Sequence, residues 1–429
     1  MYANPVDVVY HRYRSPHPQI VGTLLRFRGA APELGRLRDH FVAHLADQPV
    51  LRHRLEDVGG RTRRVPADVR PEDHVRHHAA PPGRTWEEVA DALHTLPLPP
   101  PPAAPWDVWL ADGHRADEWL LFFRSHHELT DGTGRAHLIN SLFGNAPRPG
   151  PAVARGGLSL RCAVRLLADA VTGLFPGPAA APAWRWLHGP ASGSSRLACV
   201  SLPYERLSQV GRAAGVTTND VYLAAMAGVL RQLALDRGSG PDQLGDLPVS
   251  MPMSTRRAGE ESLPGNHLAT ARVLLPCHLP DPWERLARVH RATTRAKRQG
   301  RAATSRFLQE HAPHRISEAT ARALMDARTA PVCCNYVPYR EPELSFDGSR
   351  ALDVTSVGAL MDGHLLYTAL TYHRSVARLA VVHDAALPEA ARVGELWNAQ
   401  VDALCHVTEA GARAHAPSGT SAPAKTRRR

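Results

Sequence analysis

The sequence predicts an α/β fold with mixed (α+β) sheets, divided into two subdomains of similar size. The chain has 429 residues, which is more than one ordinary hydrophobic core accommodates. Strand-like and helix-like hydrophobic periods occur together in both halves. Between them, from residue 145 to about 190, the composition shifts to Pro, Ala and Gly, which is typical of a linker.

These observations divide the chain into four parts. We expect an N-terminal subdomain over residues 1–145, a Pro/Ala-rich linker over 146–190, a C-terminal subdomain over 191–410 and a disordered basic tail over 411–429. The linker contains an amphipathic stretch over residues 158–174, which we interpret as a helix lying on the protein. A helix lying on a membrane surface is the alternative.

In the first half, the residues before the linker predict two strands and two helices. Alternating apolar residues over 21–27 and an apolar run over 119–124 indicate strands, and spacings of three and four predict helices over 34–45 and 134–143. The proline-rich segment 96–105 favours an extended crossing on the surface.

In the second half, strands and helices again follow one another. Strands are predicted near residues 197–202, 247–253, 268–275, 331–337, 364–372 and 376–383, and helices near 221–235, 282–298, 305–327 and 388–407. Thr217 and the polar residues after it form an N-cap signature before the helix at 221.

Composition and charge restrict the protein class. Hydrophobic residues make up 43% and charged residues 21%, which is typical of a globular protein. We expect a cytoplasmic protein, since the N-terminus resembles no secretory signal and no apolar run is long enough to span a bilayer. A net charge of +10 favours polyanionic partners such as a phosphorylated cofactor, an acidic carrier protein or an anionic membrane. However, nearly all basic residues are arginine, which also fits a bias in genome composition, and no nucleic-acid-binding motif is present.

The six cysteines form no CxxC pair and no spacing typical of a disulfide framework or a zinc site. We interpret them as reduced thiols, with Cys333 and Cys334 packed in an apolar context.

The strongest chemical signal is the segment 126–132, which contains His126, His127, Asp131 and Gly132 directly after a predicted strand. An imidazole held at the end of a strand can act as a general base. Asp131 can fold back to fix the turn, and Gly132 leaves room for a close approach. A solvated pair of histidines is the alternative for His126 and His127 taken alone. No metal site is expected, since neither HExxH nor a carboxylate cluster accompanies them.

This segment resembles the HHxxxDG motif of the CoA-dependent acyltransferase superfamily, which includes chloramphenicol acetyltransferase and condensation domains. Over residues 5–408 the chain most resembles the bacterial wax ester synthase/diacylglycerol acyltransferase (WS/DGAT) family. Further segments match that family in order: 105–110 its PLWE-type segment, 187–190 its LNGP, 218–225 its TVNDVVLAA, 248–251 its PVSxR-type strand, and Gly265-Asn266 its GN pair.

The resemblance implies two chloramphenicol-acetyltransferase-like subdomains with the active-site tunnel between them. It implies that His127 is the general base, that His126 supports it, and that Gly132 keeps the channel open. It also implies that Asp131 is structural and pairs with an arginine, for which Arg52 is the first candidate and Arg54 the second.

Four further residues are candidates for substrate binding. Asn219, Asp220 and Asn266 match family motifs, although Asn219 and Asp220 also fit a helix cap. Glu128 stands where the family usually has an apolar or small residue. A charged residue at this position indicates either that the acyl acceptor is more polar than a long-chain alcohol or that the Glu128 side chain points to solvent.

The resemblance implies an O-acyltransferase that moves an acyl group from acyl-CoA to an alcohol such as a long-chain alcohol or diacylglycerol, without a covalent acyl-enzyme or a tightly bound cofactor. The alternative is a tailoring or condensation-type enzyme of natural-product biosynthesis, with a carrier-protein or CoA thioester donor and an amine or polar alcohol acceptor. A binding module without activity is a third interpretation, which the intact motif disfavours. Peripheral contact with a membrane or lipid is compatible with the first of these functions.

Overall fold

A computed structural model describes residues 2–144, 182–298, 300–339 and 343–414. Within these ranges the strands are β1 (Ile20–Arg28), β2 (His53–Val58), β3 (Arg61–Pro66), β4 (Val75–Ala79), β5 (Trp106–Arg115), β6 (Glu118–His126), β7 (Ser195–Pro203), β8 (Leu247–Ser254), β9 (Leu268–Leu275), β10 (Val332–Pro338), β11 (Ser345–Phe346), β12 (Ser349–Val357), β13 (Leu366–His373) and β14 (Val376–Asp384). The helices are α1 (Pro5–His11), α2 (Leu34–His44), α3 (Pro71–His74), α4 (Trp86–His94), α5 (Gly132–Phe143), α6 (Tyr204–Ala214), α7 (Thr218–Asp236), α8 (Pro282–Arg298), α9 (Arg301–His311), α10 (His314–Leu324) and α11 (Val393–Ala414).

The strands form two large mixed sheets, as the predicted fold class requires. The N-terminal sheet has the order β11-β12-β1-β6-β5-β4, and the C-terminal sheet has the order β7-β14-β13-β10-β8-β9. The parallel pairs are β4 with β5, and β10 with β13 and β8. The remaining two strands, β2 and β3, form a separate antiparallel hairpin.

One segment that was expected in the C-terminal subdomain belongs to the N-terminal sheet instead. Strands β11 and β12 leave the C-terminal sheet and complete the N-terminal sheet, where β12 pairs with β1 from Gly22 opposite Val357 to Phe27 opposite Ala351. Strand β1 therefore lies between β6 and β12 and is almost entirely buried. Alternation along a strand predicts which side chains are buried, but it does not identify the neighbouring strand.

Helix α7 is the centre of the C-terminal core. It follows the predicted cap at Thr217, whose side chain accepts a hydrogen bond from the Asp220 N–H at 3.3 Å. Residues 219–230 of this helix are buried without interruption, which fits a helix covered on all sides. The short 3₁₀ helix Pro182–His188 adds Trp184 and Leu187 to the same core.

Most predicted elements are confirmed, with differences at two helices. The helix predicted over residues 305–327 is two helices, α9 and α10, because Pro313 ends one and begins the next. Helix α11 continues to Ala414, so the first residues of the predicted disordered tail are helical. The predicted linker helix at 158–174 and residues 415–429 lie outside the described residues. None of the described helices combines the length and apolar character that crossing a bilayer requires.

Two glycines allow a test of packing against the central strand. A Cβ at Gly22 would lie 2.8 Å from the Phe123 carbonyl oxygen, whereas a Cβ at Gly35 in α2 would meet nothing within 4 Å. We expect Gly22→Ala to destabilise the protein by about 1–3 kcal/mol through overpacking. We expect Gly35→Ala to be neutral or to stabilise it by up to about 1 kcal/mol. Thermal unfolding midpoints check both, and equal midpoints for the two variants would contradict the packing described here.

Candidate active site

A cavity of about 740 Å³, called here the central cavity, lies between the two halves of the protein. The first half contributes His127, the first turns of α5 and Tyr10, and the second half contributes β8, β10 and residues 358–367. The central cavity therefore lies where the active site is expected. Whether it is a tunnel with two open ends stays a prediction.

Asp131 fixes the loop that carries His127. It is the N-cap of α5, where its Oδ1 accepts a hydrogen bond from the Gly134 N–H at 2.9 Å. Its Oδ2 accepts one from the His267 N–H at 2.7 Å and also forms a buried ion pair with Arg256. Burial alone would raise the pKa of this carboxyl, but Arg256 and the hydrogen bonds outweigh it and lower the pKa below its usual value. These contacts fit the structural role that the resemblance implies for Asp131.

The expected partner of Asp131 was wrong. Arg52 is exposed at the end of a 3₁₀ turn, and Arg54 pairs with Glu56 in the β2–β3 hairpin. The true partner, Arg256, lies just after β8, and its other terminal nitrogen donates to the Leu263 and Gly265 carbonyls, each at 2.9 Å. The match of β8 to the PVSxR-type family strand was the available signal, but the arginine comes later than that pattern places it.

His127 stands at the end of β6 with its ring held on two sides. The ring stacks on Tyr10 with a centroid distance of 3.8 Å and an angle of 6°. Nδ1 lies 3.0 Å from Asn266 Oδ1. The Asn266 amide nitrogen donates to the His127 carbonyl at 2.7 Å and to Asp7 Oδ1 at 2.9 Å, so the amide oxygen must face the ring. His127 therefore carries its proton on Nδ1 and leaves Nε2 as the basic nitrogen.

Asn266 was expected to bind substrate, and the structure contradicts this. Its side chain is fully buried, does not line the central cavity and contacts the ring and the carbonyl of His127. Asp7, which holds Asn266, is itself paired with Arg64 at 2.6 Å. Asp7 and Tyr10 belong to α1, which sequence reasoning missed, although Asn4 as N-cap followed by Pro5 is a helix start signal.

The surroundings of His127 keep its ring neutral. Burial, with a further contribution from the positive charge of Arg135, lowers the pKa of His127 to about 4. An unprotonated imidazole at neutral pH is the form that can accept a proton.

Gly132 lies at the start of α5 on the cavity wall, where a Cβ would come 3.1 Å from Val337 Cγ2. This contact is tight, so a side chain here would narrow the cavity. The position fits the channel-clearing role that the resemblance implies.

The expectation that Glu128 points to solvent is wrong, and a more polar acceptor stays a prediction that Glu128 does not support by direct contact with the cavity. The side chain is buried, so it does not point to solvent, and it does not line the central cavity. Its Oε2 lies 2.8 Å from His11 Nδ1 and 3.3 Å from His126 Nδ1. Burial raises the pKa of this carboxyl, but the hydrogen bonds from His11 and His126 outweigh it and lower the pKa to about 2. His126 thus turns away from the cavity and supports the loop through Glu128.

Asn219 and Asp220 are also outside the central cavity, so the structure does not bear out substrate binding at either. Asp220 completes the cap of α7 and accepts hydrogen bonds from Thr293 at 2.6 Å and His290 at 3.0 Å. Asn219 donates to the Met251 sulfur at 3.4 Å. The helix-cap interpretation is confirmed for Asp220.

Two other kinds of chemistry, a covalent nucleophile and a bound metal ion, were sought among the described residues. Cys333 lines the cavity, but burial raises the pKa of its thiol far above neutrality. No group of three or more His, Cys, Asp or Glu side chains within the described ranges is arranged to hold a metal ion.

Models of protein families match both halves of the chain. The wax ester synthase/diacylglycerol acyltransferase catalytic domain matches residues 14–161, and the WS/DGAT C-terminal domain matches residues 264–404. The chain belongs to the wax ester synthase/diacylglycerol acyltransferase family. The protein is therefore an acyltransferase, and the resemblance seen in its motifs is confirmed.

Two mycobacterial proteins are similar to much of the chain. A putative diacylglycerol O-acyltransferase of Mycobacterium bovis is 29% identical over 63% of this chain and 67% of its own length. A putative diacylglycerol O-acyltransferase of Mycobacterium tuberculosis is 28% identical over 86% of this chain and 91% of its own length.

Solved structures show the same fold. The wax ester synthase/diacylglycerol acyltransferase from Marinobacter aquaeolei VT8 superposes with a TM-score of 0.67 and 22% identity, covering 95% of this chain and 100% of its own. The first condensation domain of the calcium-dependent antibiotic synthetase gives a TM-score of 0.64 and 21% identity, covering 95% and 96%. The expected chloramphenicol-acetyltransferase-like architecture is confirmed.

The corrected pairing of Asp131 can be tested with two arginine substitutions. We expect Arg256→Ala to destabilise the protein by about 3–5 kcal/mol, because it leaves the buried Asp131 carboxylate without its partner. We expect Arg52→Ala to have little effect, since this side chain is exposed. Thermal unfolding of both variants checks this. A larger loss of stability for Arg52→Ala than for Arg256→Ala would contradict the pairing of Asp131 with Arg256.

The contact between His11 and Glu128 should make stability depend on pH. The Glu128 hydrogen bond raises the pKa of His11, so the stability from this group is fully present below the usual histidine pKa and is lost as pH rises through the raised value. We therefore expect Glu128→Gln to lower the unfolding midpoint more at pH 5.5 than at pH 8.5. The variant His11→Gln should show the same trend, and a loss that does not vary with pH in either variant would exclude a charged pair.

Proposed function

We propose that this protein transfers an acyl group from acyl-CoA to the hydroxyl group of an acceptor, with His127 as the general base. The observation that carries the proposal is the orientation of Asn266, which places the His127 proton on Nδ1 and leaves Nε2 free to accept another. The names of the mycobacterial relatives support an O-acyltransferase with an alcohol acceptor.

The reaction needs no covalent intermediate on the protein. Nε2 of His127 removes the proton from the acceptor hydroxyl as its oxygen attacks the thioester carbonyl. The tetrahedral intermediate collapses, the C–S bond breaks, and the proton on Nε2 passes to the departing CoA thiolate. The ester and free CoA leave, and His127 returns to its neutral form.

The high thiol pKa of Cys333 agrees with direct transfer, since a protonated thiol is a poor nucleophile. His127 gains a positive charge during the step, and the stacked Tyr10 ring and Asn266 keep it in place without a carboxylate partner.

Acyl-CoA is the donor that we propose. A starter condensation domain of rhizomide synthetase, which has the same fold with a TM-score of 0.62, was solved in complex with C8-CoA and Leu-SNAC. The alternative of a carrier-protein donor and a tailoring reaction rests on likeness in fold alone, so the family of the chain favours the first function. A cytoplasmic location and peripheral membrane contact stay predictions.

The base assignment is tested by two neighbouring alanine substitutions. We expect His127→Ala to reduce acyl transfer by about 10²–10⁴-fold, the usual contribution of a positioned general base. His126→Ala should cost much less, because that ring faces Glu128 and not the cavity. Release of free CoA from a series of acyl-CoAs, with long-chain alcohols and diacylglycerol as acceptors, measures both. Equal losses for the two variants would contradict the assignment.

The pH profile gives an independent test of His127. With its pKa lowered to about 4, the base stays unprotonated down to mildly acidic pH. We expect kcat/KM to be flat between pH 6 and pH 8 and to fall only as pH approaches the lowered pKa. Measurement across this range with a pH-stable donor checks it, and an inflection near the ordinary histidine pKa of about 6.5 would show that the ring is more solvated than the structure indicates.

A further inference from the structure

Arg135 is a buried cation on the wall of the central cavity. It lies in the second turn of α5, and its side chain and backbone together are only 2% exposed. Its Nε donates to Thr23 Oγ1 at 3.2 Å and its Nη2 to Ser356 Oγ at 3.0 Å. Thr23 in β1 and Ser356 in β12 face each other directly in the strand register. The guanidinium is therefore fixed across two central strands.

The contacts of Arg135 are neutral. In the described part of the chain, no carboxylate lies within ion-pair distance of it, and its Nη1 is buried without a hydrogen-bond partner. Among the residues that line the cavity, Asp131 is committed to Arg256, and Glu261 is exposed. An unpaired buried charge is costly, and the cost disappears when a bound ligand supplies the opposite charge.

Arg135 and His127 both line the central cavity. A molecule that fills this cavity can therefore meet both side chains, and the contribution of the Arg135 charge to the lowered pKa of His127 agrees with this. A fatty acyl chain has no charge to offer a guanidinium, and the acyl acceptor is the reactant whose chemistry the family leaves open. A planar guanidinium matches a carboxylate in geometry and charge.

We propose that Arg135 binds a carboxylate of the acyl acceptor, so that the preferred acceptor is a hydroxy acid rather than a neutral alcohol. The inference rests on the proposed function for the transfer itself. Thr23 and Ser356 accept hydrogen bonds from two of the guanidinium nitrogens. Nη1 is buried without a hydrogen-bond partner, and in our proposal it turns toward the cavity to donate to the carboxylate. The carboxylate fixes the acceptor, and its hydroxyl reaches Nε2 of His127.

The test compares acceptors that differ only in charge. Hydroxy acids with the hydroxyl at increasing distance from the carboxylate are paired with their methyl esters, with octanoyl-CoA as donor. For the best pair, we expect wild-type kcat/KM to favour the acid by at least about 10-fold, the usual effect of one hydrogen bond to a charged group. Arg135→Met should abolish this preference, and Arg135→Lys should keep part of it. Arg52→Met, an exposed arginine outside the cavity, should keep all of it.

Binding without donor gives a second measurement that does not depend on turnover. Calorimetric titration should show tighter binding of the hydroxy acid than of its ester to the wild type, and equal binding of both to Arg135→Met. Thermal unfolding serves as the control that Arg135→Met is folded. We expect it to be folded, because an apolar side chain replaces an unpaired buried charge.

Three outcomes would overturn the proposal. An equal loss with every acceptor would assign Arg135 to the tetrahedral intermediate instead. A preference for succinyl-CoA over butyryl-CoA that disappears in Arg135→Met would place the carboxylate on the donor. Equal binding of acid and ester to the wild type would exclude a carboxylate site. Failure of the proposed function differs from all three, because then no acceptor, charged or neutral, would release CoA in a His127-dependent way.

Discussion

The His127 loop is held by residues that lie more than a hundred positions away in the sequence. Asp131 binds Arg256 and the His267 backbone, and the Gly265 N–H donates to the Leu129 carbonyl at 3.0 Å. The loop in the first half and the segment 254–267 in the second half are therefore joined into one hydrogen-bonded unit. Because this unit is also the wall of the cavity, the geometry of the base depends on the two halves being packed together.

Gly265 shows how closely these parts approach. Its φ is +90°, and a Cβ there would lie 2.6 Å from both Asp7 Oδ2 and the Arg64 guanidinium. Only glycine accepts both the conformation and the crowding. Gly265 places Asn266 next to His127. In the GN pair, the glycine therefore provides the backbone conformation, and the asparagine provides the hydrogen bond to the His127 ring. A substitution at either position would act on the base without touching substrate.

The two histidines of the motif have different functions because their environments differ. His127 stacks on Tyr10 in surroundings that lower its pKa, and His126 turns to the buried Glu128 carboxylate. Glu128 is thus a structural ion in a position where the family usually has an apolar or small residue. Its effect on the reaction is indirect, since it ties the loop to α1 through His11. Among the described residues that line the central cavity, Arg135 is a buried cation without a carboxylate partner, which is the basis for the proposed anionic acceptor.

The sequence by itself determined the fold class and most of the helices and strands, and it indicated His127 as the candidate base. These features depend on local periodicity, on caps such as Thr217, and on a short motif whose residues are neighbours in the chain. It did not determine the partner of Asp131, the placement of β12 beside β1, or the roles of Asn266 and Glu128. Those depend on contacts between residues far apart in sequence, where a polar side chain has many candidate partners and only packing selects one. The charge of Arg135 was visible in the sequence, but only the tertiary structure showed that it is buried, that it has no carboxylate partner among the described residues, and that it lines the same cavity as His127.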